Sequence, residues 1–314
     1  MNYGIIDLGS NTVRLNVFSY ENERIIKIFS KKEVVGLAAY VVNGELSKQG
    51  IQKACATLNR FKNVALKVLD LPHIYVFATA SLRNIQNSEE AAQIIKKETS
   101  LTPHILSFDE EAHLGFTGLS QNISLQSGLM IDIGGASTEF VQFENFKPVN
   151  IASMQIGCLN LYFNHVQKVT PSSKERKIIK QNIKDELAKI DWYIPKGETT
   201  LVGVGGTVRA TLKLAQSILG IPRNGNEVTA NQVVEIYSLL KNSDKYGNYI
   251  YHAVYKTVPE RTLTIFSGIS ILKQAMKKFN TQKLVISNHG VREGYLIDKV
   301  LNKNVENSYD ASKQ

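Results

Sequence analysis

The stretch 129–141, LMIDIGGASTEFV, has the pattern of a strand, a tight glycine turn and a second strand. Residues 3–17, YGIIDLGSNTVRLNV, follow the same plan near the start of the chain. In both, apolar residues lead into an aspartate, Asp132 or Asp7, which is followed by x-Gly, small residues and a hydroxyl. Such a repeat predicts a duplicated domain in which each half carries one of these turns.

The elements around the two turns also repeat. Strands are predicted at 3–8, 13–19 and 24–30, and again at 128–133, 138–143 and 148–153, and each set is followed by alternating helices and strands. This order predicts two α/β domains with mixed sheets and a cleft between them. We place domain I at 1–123, joined by a C-terminal helix at about 298–314, and domain II at 124–297.

Capping residues locate several helices between these strands. Ser88 is predicted to cap a helix at 88–98, and Thr170 to cap one at 171–190 with Pro171 in its first position. A further helix opens at Asp109. Another begins at Gly205, directly after a strand predicted at 199–204.

The composition limits the class of protein. The 314 residues are 43% hydrophobic and 21% charged, as in an ordinary globular protein of two domains. Two cysteines, no apolar run long enough to span a membrane and no leader-like start indicate a cytoplasmic protein without a membrane partner. The net charge of +9 suits a polyanionic partner, but no run of five basic residues occurs, so nucleic acid is unlikely.

The two Asp-x-Gly turns are candidates for binding phosphate. Glycine permits a positive φ and lets backbone N–H groups converge on an anion, to which a hydroxyl adds a further donor. An aspartate at the end of a strand can hold Mg²⁺, which bridges to phosphate oxygens. One such turn is more often a plain hairpin, whereas two copies in matching positions favour function. The phosphate-binding candidates are Gly9, Ser10, Asn11, Gly134, Gly135 and Ser137, and the metal candidates are Asp7, Asp132 and Glu139.

Three further places are candidates for the same chemistry. Gly205, Gly206 and Thr207 open a helix, whose N-terminus favours phosphate, although glycine pairs also serve close packing. Arg83 is either a phosphate clamp or a surface arginine. Glu110 and Glu111 either complement a helix dipole or include a general base that activates water.

Seven motifs follow one another along the chain: DLGSN at 7–11, ATASLRN at 78–84, EEAHLGFTG at 110–118, DIGGASTE at 132–139, IGC at 156–158, GVGGTVRA at 203–210 and SNHGVREG at 287–294. In this order they resemble the Ppx/GppA phosphatase family of exopolyphosphatases and guanosine pentaphosphate phosphohydrolases, in its short two-domain form. The resemblance implies duplicated ribonuclease-H-like domains of the actin, hexokinase and sugar-kinase type. It also implies Glu111 as the catalytic glutamate, with Glu110 as the alternative, and Arg83 as a phosphate contact.

The same resemblance implies a partner and a cofactor. We expect an Mg²⁺-dependent exopolyphosphatase that releases terminal phosphate from inorganic polyphosphate. Hydrolysis of the guanosine pentaphosphate pppGpp is the alternative, and a non-catalytic regulator that binds (p)ppGpp or polyphosphate is a third hypothesis. The sequence leaves open K⁺ as an activator, and a homodimer is expected from the family alone.

The chain departs from the family pattern at three positions. Ala136 stands where a third glycine is usual, Asn160 where short members often have arginine, and Leu263 where the family has aspartate. Alanine tolerates a positive φ poorly, so residue 136 is expected to avoid the left-handed region unless it is strained. These departures concern substrate preference and turnover and leave the predicted phosphate machinery in place.

Overall fold

The computed structural model describes residues 1–192, 199–246, 249–302 and 309–310. The chain forms two compact units. Unit 1 comprises residues 1–118 and 291–314, and unit 2 comprises residues 119–290. The sequence placed these divisions at 123 and 297.

Unit 1 opens with a strand meander and then alternates helices and strands. The strands are β1 (Asn2–Leu8), β2 (Thr12–Glu21), β3 (Arg24–Val34), the short pair β4 (Val41–Val42) and β5 (Glu45–Leu46), β6 (His73–Ala78) and β7 (Pro103–Ile105). The helices are α1 (Lys48–Asn63), α2 (Ala80–Arg83), α3 (Ser88–Thr99) and α4 (Phe108–Ser120).

Unit 2 repeats the meander before its own helices. Its strands are β8 (Gly128–Ile133), β9 (Thr138–Glu144), β10 (Lys147–Met154), β11 (Thr200–Val204), β12 (Glu227–Thr229) and β13 (Lys283–Ile286). Its helices are α5 (Cys158–His165), α6 (Ser173–Ala188), α7 (Gly205–Ile218), α8 (Ala230–Lys241), α9 (Tyr249–Thr257) and α10 (Ile265–Lys278). The chain then returns to unit 1 with α11 (Val291–Tyr295), a π-helical turn at Leu296–Leu301 and β14 (Tyr309–Asp310).

The two main sheets share one topology. In unit 1 the order is β3-β2-β1-β6-β7, with β1 antiparallel to β2 and parallel to β6. In unit 2 the order is β10-β9-β8-β11-β13, with the same directions and β12 added antiparallel to β13. The predicted duplication of a ribonuclease-H-like α/β domain with a mixed sheet is therefore confirmed.

Apolar side chains of β1 point alternately to the two faces of the sheet of unit 1, and each face carries a hydrophobic core. Ile6 and Leu8 pack with α1 on one face, whereas Ile5 packs with Phe77 and Tyr295 on the other. Successive strand residues point to opposite faces, and each fully buried side chain contributes roughly 1.5–3 kcal/mol. Asp7 is thus held near the end of a strand whose apolar side chains are packed into a core on each face of the sheet.

One predicted helix start and two predicted caps are wrong. Helix α6 begins at Ser173 with Ser172 as its N-cap, because Ser172 and Glu175 form a reciprocal capping box that Thr170 and Pro171 cannot provide. Ser88 is the first residue of α3 and not its cap. Helix α5, which follows the IGC motif, was not predicted from the sequence.

The predicted C-terminal helix at about 298–314 lies largely outside the described residues, which resume only at the two residues of β14. None of the helices in the described part of the chain has both the length and the hydropathy required to cross a lipid bilayer.

Candidate active site

The first Asp-x-Gly turn joins β1 to β2 through a close backbone approach. Gly9 N donates to Thr12 O at 3.1 Å, and a Cβ on Gly9 would lie only 2.9 Å from that oxygen. Neither Gly9 nor Gly134 has a positive φ, so neither turn uses the left-handed conformation that glycine permits. Glycine is required at residue 9 because the two backbone segments nearly touch.

The carbonyl side of this turn is fixed by the segment that follows β3. Asn11 O accepts from Val35 N and Gly36 N, and Ser10 O accepts from Ala38 N, each at 2.9 Å. The N–H groups of Ser10 and Asn11 donate to no described residue. A loop with bonded carbonyls and open N–H groups has the polarity that an anion requires.

Asp7, at the end of β1, lies between two arginines. Arg292 Nη1 on α11 donates to Asp7 Oδ2 at 2.9 Å, and Arg14 is the cross-strand neighbour of Asp7 on β2. Burial raises the pKa of Asp7 above its usual range, an effect that Arg292 and Arg14 oppose. Arg292 was not among the predicted site residues, and its only sequence signal was its place in SNHGVREG.

Arg83 and Glu111 form a largely buried ion pair. Arg83 Nη1 donates to Glu111 Oε2 at 2.7 Å and to Leu106 O at 3.0 Å, and the two side chains are 10% and 11% exposed. Arg83 Nε and Nη2 are buried and have no hydrogen-bond partner among the described residues. Arg83, the predicted phosphate clamp, is therefore paired with Glu111, the predicted base, while two of its nitrogens make no hydrogen bond to a described residue.

Glu110 has a different environment. Its carboxylate accepts from Ser107 N at 3.0 Å and from Lys299 Nζ at 2.8 Å, while Glu110 N donates to Ser107 Oγ. Burial raises its pKa, but these hydrogen bonds outweigh burial and lower the pKa to about 2. Glu110 is thus occupied in capping α4 and in its bond to Lys299, and the choice between Glu110 and Glu111 as the base stays a prediction.

The lowered pKa of Glu110 predicts a pH-dependent contribution to stability. It stabilises the fold above its ordinary value of 4.5, and the contribution is lost as the pH falls through about 2. We expect Glu110→Gln to lower the free energy of unfolding at pH 7 by about 1 kcal/mol. The loss is modest because the ion pair of Glu110 and Lys299 is partly exposed to solvent. Urea titrations of both proteins at pH 7, 5 and 3.5 should show the difference in unfolding free energy between wild type and Glu110→Gln shrinking below pH 4.5. A difference that stays constant over this range would contradict a lowered pKa of Glu110.

The second Asp-x-Gly turn joins β8 to β9 and rests on α5. Gly134 N donates to Ser137 O at 2.9 Å, and Gly135 O accepts from Leu159 N at 2.7 Å. Gly157 precedes α5, and a Cβ there would overlap the backbone of Gly135. The N–H groups of Gly135, Ala136 and Ser137 donate to no described residue, as in the first turn.

Two of the three departures from the family pattern contact each other. Asn160 Nδ2 on α5 donates to Ala136 O at 3.1 Å and to Gln155 O at 3.0 Å, while its Oδ1 accepts from Gly157 N at 2.8 Å. Ala136 does not have a positive φ, as expected for alanine. The amide of Asn160 thus anchors the turn at Ala136.

We expect Asn160→Ala to lower the stability of unit 2 by about 1–3 kcal/mol and to raise KM, because the turn loses its side-chain anchor. Thermal unfolding and phosphate-release kinetics measure the two effects. Asn164→Ala, at an exposed position of the same helix, is the matched control. Equal effects of the two substitutions would count against a role for Asn160 in the turn.

The predicted metal ligands of unit 2 are neighbours. Asp132 and Glu139 face each other across β8 and β9, where like charges are unfavourable without a cation, whereas Asp7 has Arg14 in the corresponding place. Mg²⁺ commonly binds one or two carboxylates together with substrate phosphates, so these oxygen donors fit it. Within the described residues, no group of three or more His, Cys, Asp or Glu could hold a metal ion, so the magnesium site stays a prediction.

The start of α7 combines a glycine of positive φ with an arginine. Gly205 has φ = 83°, and a Cβ there would overlap Asp132 Oδ1. A Cβ on Gly206 would overlap Arg261 Nη2, so that guanidinium lies against the first turn of α7. Sequence reasoning did not select Arg261. Thr207 is 1% exposed and donates to Ile133 O at 3.0 Å, which favours a structural contact over phosphate binding.

The predicted residues thus fall into two groups. Asp7, the first turn, Arg83 and the two glutamates belong to unit 1, whereas the second turn, Asp132, Glu139 and the start of α7 belong to unit 2. Each unit combines a strand-end aspartate with a loop whose N–H groups are open. This repeated arrangement can bind phosphate oxygens in each unit.

Comparison with solved structures supports the fold. An exopolyphosphatase from Cytophaga hutchinsonii has a TM-score of 0.82 at 21% identity, covering 96% of this chain and 98% of that one. An Aquifex aeolicus member of the Ppx/GppA family has a TM-score of 0.75 at 23% identity, covering 97% and 99%. At these identities the likeness concerns the fold.

The curated sequences that this chain resembles include relatives that are longer than the chain. Guanosine-5'-triphosphate,3'-diphosphate pyrophosphatases from Aliivibrio fischeri and Pseudoalteromonas translucida are each 28% identical, over 93% and 94% of this chain. The chain spans only 58% of the length of these relatives. The model of the Ppx/GppA phosphatase family matches residues 16–303. With most of its length matched in this way, the chain belongs to the Ppx/GppA phosphatase family.

Proposed function

We propose that the chain hydrolyses the terminal phosphoanhydride of inorganic polyphosphate. The observation that carries this proposal is the ion pair of Arg83 and Glu111, in which a partly unsatisfied guanidinium lies beside a buried carboxylate. A guanidinium of this kind binds phosphoryl oxygens, and the carboxylate beside it can accept a proton from water. A protein that only binds phosphate has no need of the carboxylate.

In the proposed reaction, each turn binds phosphate oxygens of the substrate through its open N–H groups and its hydroxyl, Ser10 in unit 1 and Ser137 in unit 2. Glu111 accepts a proton from a water molecule as the water oxygen forms a bond to phosphorus. The bridging P–O bond breaks, and its electron pair stays with the shortened polyphosphate. Asp132 and Glu139 would hold Mg²⁺ in unit 2, and Asp7 is the candidate in unit 1; the ion would neutralise part of the phosphate charge.

Two substrates present the same terminal anhydride. The net charge of +9 favours a long polyanion such as polyphosphate. Hydrolysis of pppGpp is the second candidate, because the curated relatives are named guanosine-5'-triphosphate,3'-diphosphate pyrophosphatases. The two substrates differ only beyond the anhydride, where the nucleoside begins.

Phosphate release from long-chain polyphosphate and from pppGpp, measured side by side with Mg²⁺ at several K⁺ concentrations, tests the proposal. We expect the larger kcat/KM with polyphosphate. A larger value with pppGpp would favour the second candidate. Tight binding of either compound without phosphate release would overturn the enzymatic proposal in favour of a regulator.

A further inference from the structure

A short segment at the start of α4 surrounds the guanidinium of Arg83. Leu106 O and Glu111 Oε2 accept hydrogen bonds from the same nitrogen, Nη1, at 3.0 and 2.7 Å. The ring of Phe108, the first residue of α4, lies 3.7 Å from the guanidinium carbon. At this distance the cation lies over the face of the ring.

The rest of this guanidinium is unsatisfied. Nε and Nη2 are buried without a hydrogen-bond partner among the described residues, although the side chain is only 10% exposed. These two nitrogens form one edge of the guanidinium plane, and their N–H groups match two oxygens of a phosphoryl group. Buried donors are normally satisfied, so the open edge indicates an anionic ligand.

The two hydrogen bonds hold the guanidinium at one end only, because both start from Nη1. They set the direction of the guanidinium plane, but no hydrogen bond to a described residue resists tilting at the far edge, Nε and Nη2. The ring of Phe108, packed on the face of the guanidinium, resists this tilting. The side chain at residue 108 therefore contributes to the orientation of the Nε/Nη2 edge.

We propose that Phe108 is a positioning residue for phosphate hydrolysis. It holds the plane of Arg83 so that Nη1 stays on Glu111 while the Nε/Nη2 edge receives the terminal phosphoryl group. The same guanidinium then sets the distance between the bound phosphoryl group and the base. This inference rests on the proposed function, and it adds a residue whose side chain has no group to bind phosphate or to accept a proton.

Kinetics of phosphate release in two backgrounds test this role. Phe108→Leu and Phe108→Met remove the ring and keep much of its volume, while Phe108→Tyr keeps the ring. We expect the first two to lower kcat/KM by about tenfold or more, through both kcat and KM, and Phe108→Tyr to stay near the wild type. In an Arg83→Gln background, Phe108→Leu should cause no further loss, because its effect passes through Arg83.

Equal losses from Phe108→Leu in the wild-type and Arg83→Gln backgrounds would overturn the proposal, as would wild-type kinetics of Phe108→Leu. Circular dichroism and thermal unfolding identify variants that fold. If Phe108→Leu does not fold, the comparison rests on Phe108→Met.

Binding separates this inference from the proposed reaction. Calorimetric titration of tripolyphosphate into Glu111→Gln, with and without Phe108→Leu, measures the anion contact in the absence of the base. We expect about tenfold weaker binding when the ring is removed. If removing the ring weakens binding but neither the wild type nor any variant hydrolyses the substrate, the positioning role of Phe108 is supported and the proposed function is overturned. Unchanged binding with normal hydrolysis would overturn the role of Phe108 alone.

Discussion

Glu111→Gln is expected to lower the rate of phosphate release by at least about 100-fold while tripolyphosphate binding persists. Glutamine keeps the size of the side chain and an oxygen that can accept from Arg83 Nη1, which now lies 2.7 Å from the carboxylate. It cannot take a proton from water. The expected result is therefore a loss in kcat with little change in affinity, measured by phosphate release and by calorimetry.

Glu110→Gln is the matched control, because it makes the same change one residue earlier on α4. Glu110 is bound to Ser107 N and Lys299 Nζ, so its loss should reduce stability and leave kcat within a few-fold of the wild type. A large loss of kcat in Glu110→Gln with normal turnover in Glu111→Gln would reverse the two assignments. Normal turnover in both variants would reject a glutamate base at the start of α4.

Local sequence patterns were sufficient to predict the strands that carry the site. Alternating and apolar runs flanking Asp7 and Asp132 predicted β1, β2, β8 and β9 to within a few residues. The glycine turns were also located correctly, because a strand, an Asp-x-Gly step and a second strand are all short-range signals. Their conformation could not be predicted, since glycine can be required by close backbone approach as well as by a positive φ.

Contacts between distant segments could not be predicted from these patterns. Arg292 reaches Asp7 across 285 positions, and Arg261 reaches Cys158 across 103. Nothing local distinguishes these arginines from surface arginines, because their partners are brought near only by the folded sheet. The same holds for Asn160, whose amide has a role only once α5 packs against the second turn.

Gly205→Ala is expected to abolish most of the activity and to lower the free energy of unfolding by about 2–4 kcal/mol. Part of the cost is the backbone, because φ = 83° is unfavourable for any residue with a Cβ by about 1–2 kcal/mol. The rest is overlap of the new methyl group with Asp132 Oδ1, which forces the carboxylate to move. A displacement of about 1 Å at a reacting group can cost about 100-fold in rate.

Gly220→Ala separates the two contributions. Gly220 follows α7, which Gly205 begins, and it has φ = 70° with no atom within 4 Å of the added Cβ. This variant should lose about 1–2 kcal/mol of stability from the backbone and keep its rate of phosphate release. Urea unfolding and phosphate release of the two variants then isolate the effect of moving Asp132. If Gly205→Ala unfolds more easily but releases phosphate at the rate of Gly220→Ala, the position of Asp132 is not critical for the reaction, and its assignment as a metal ligand fails.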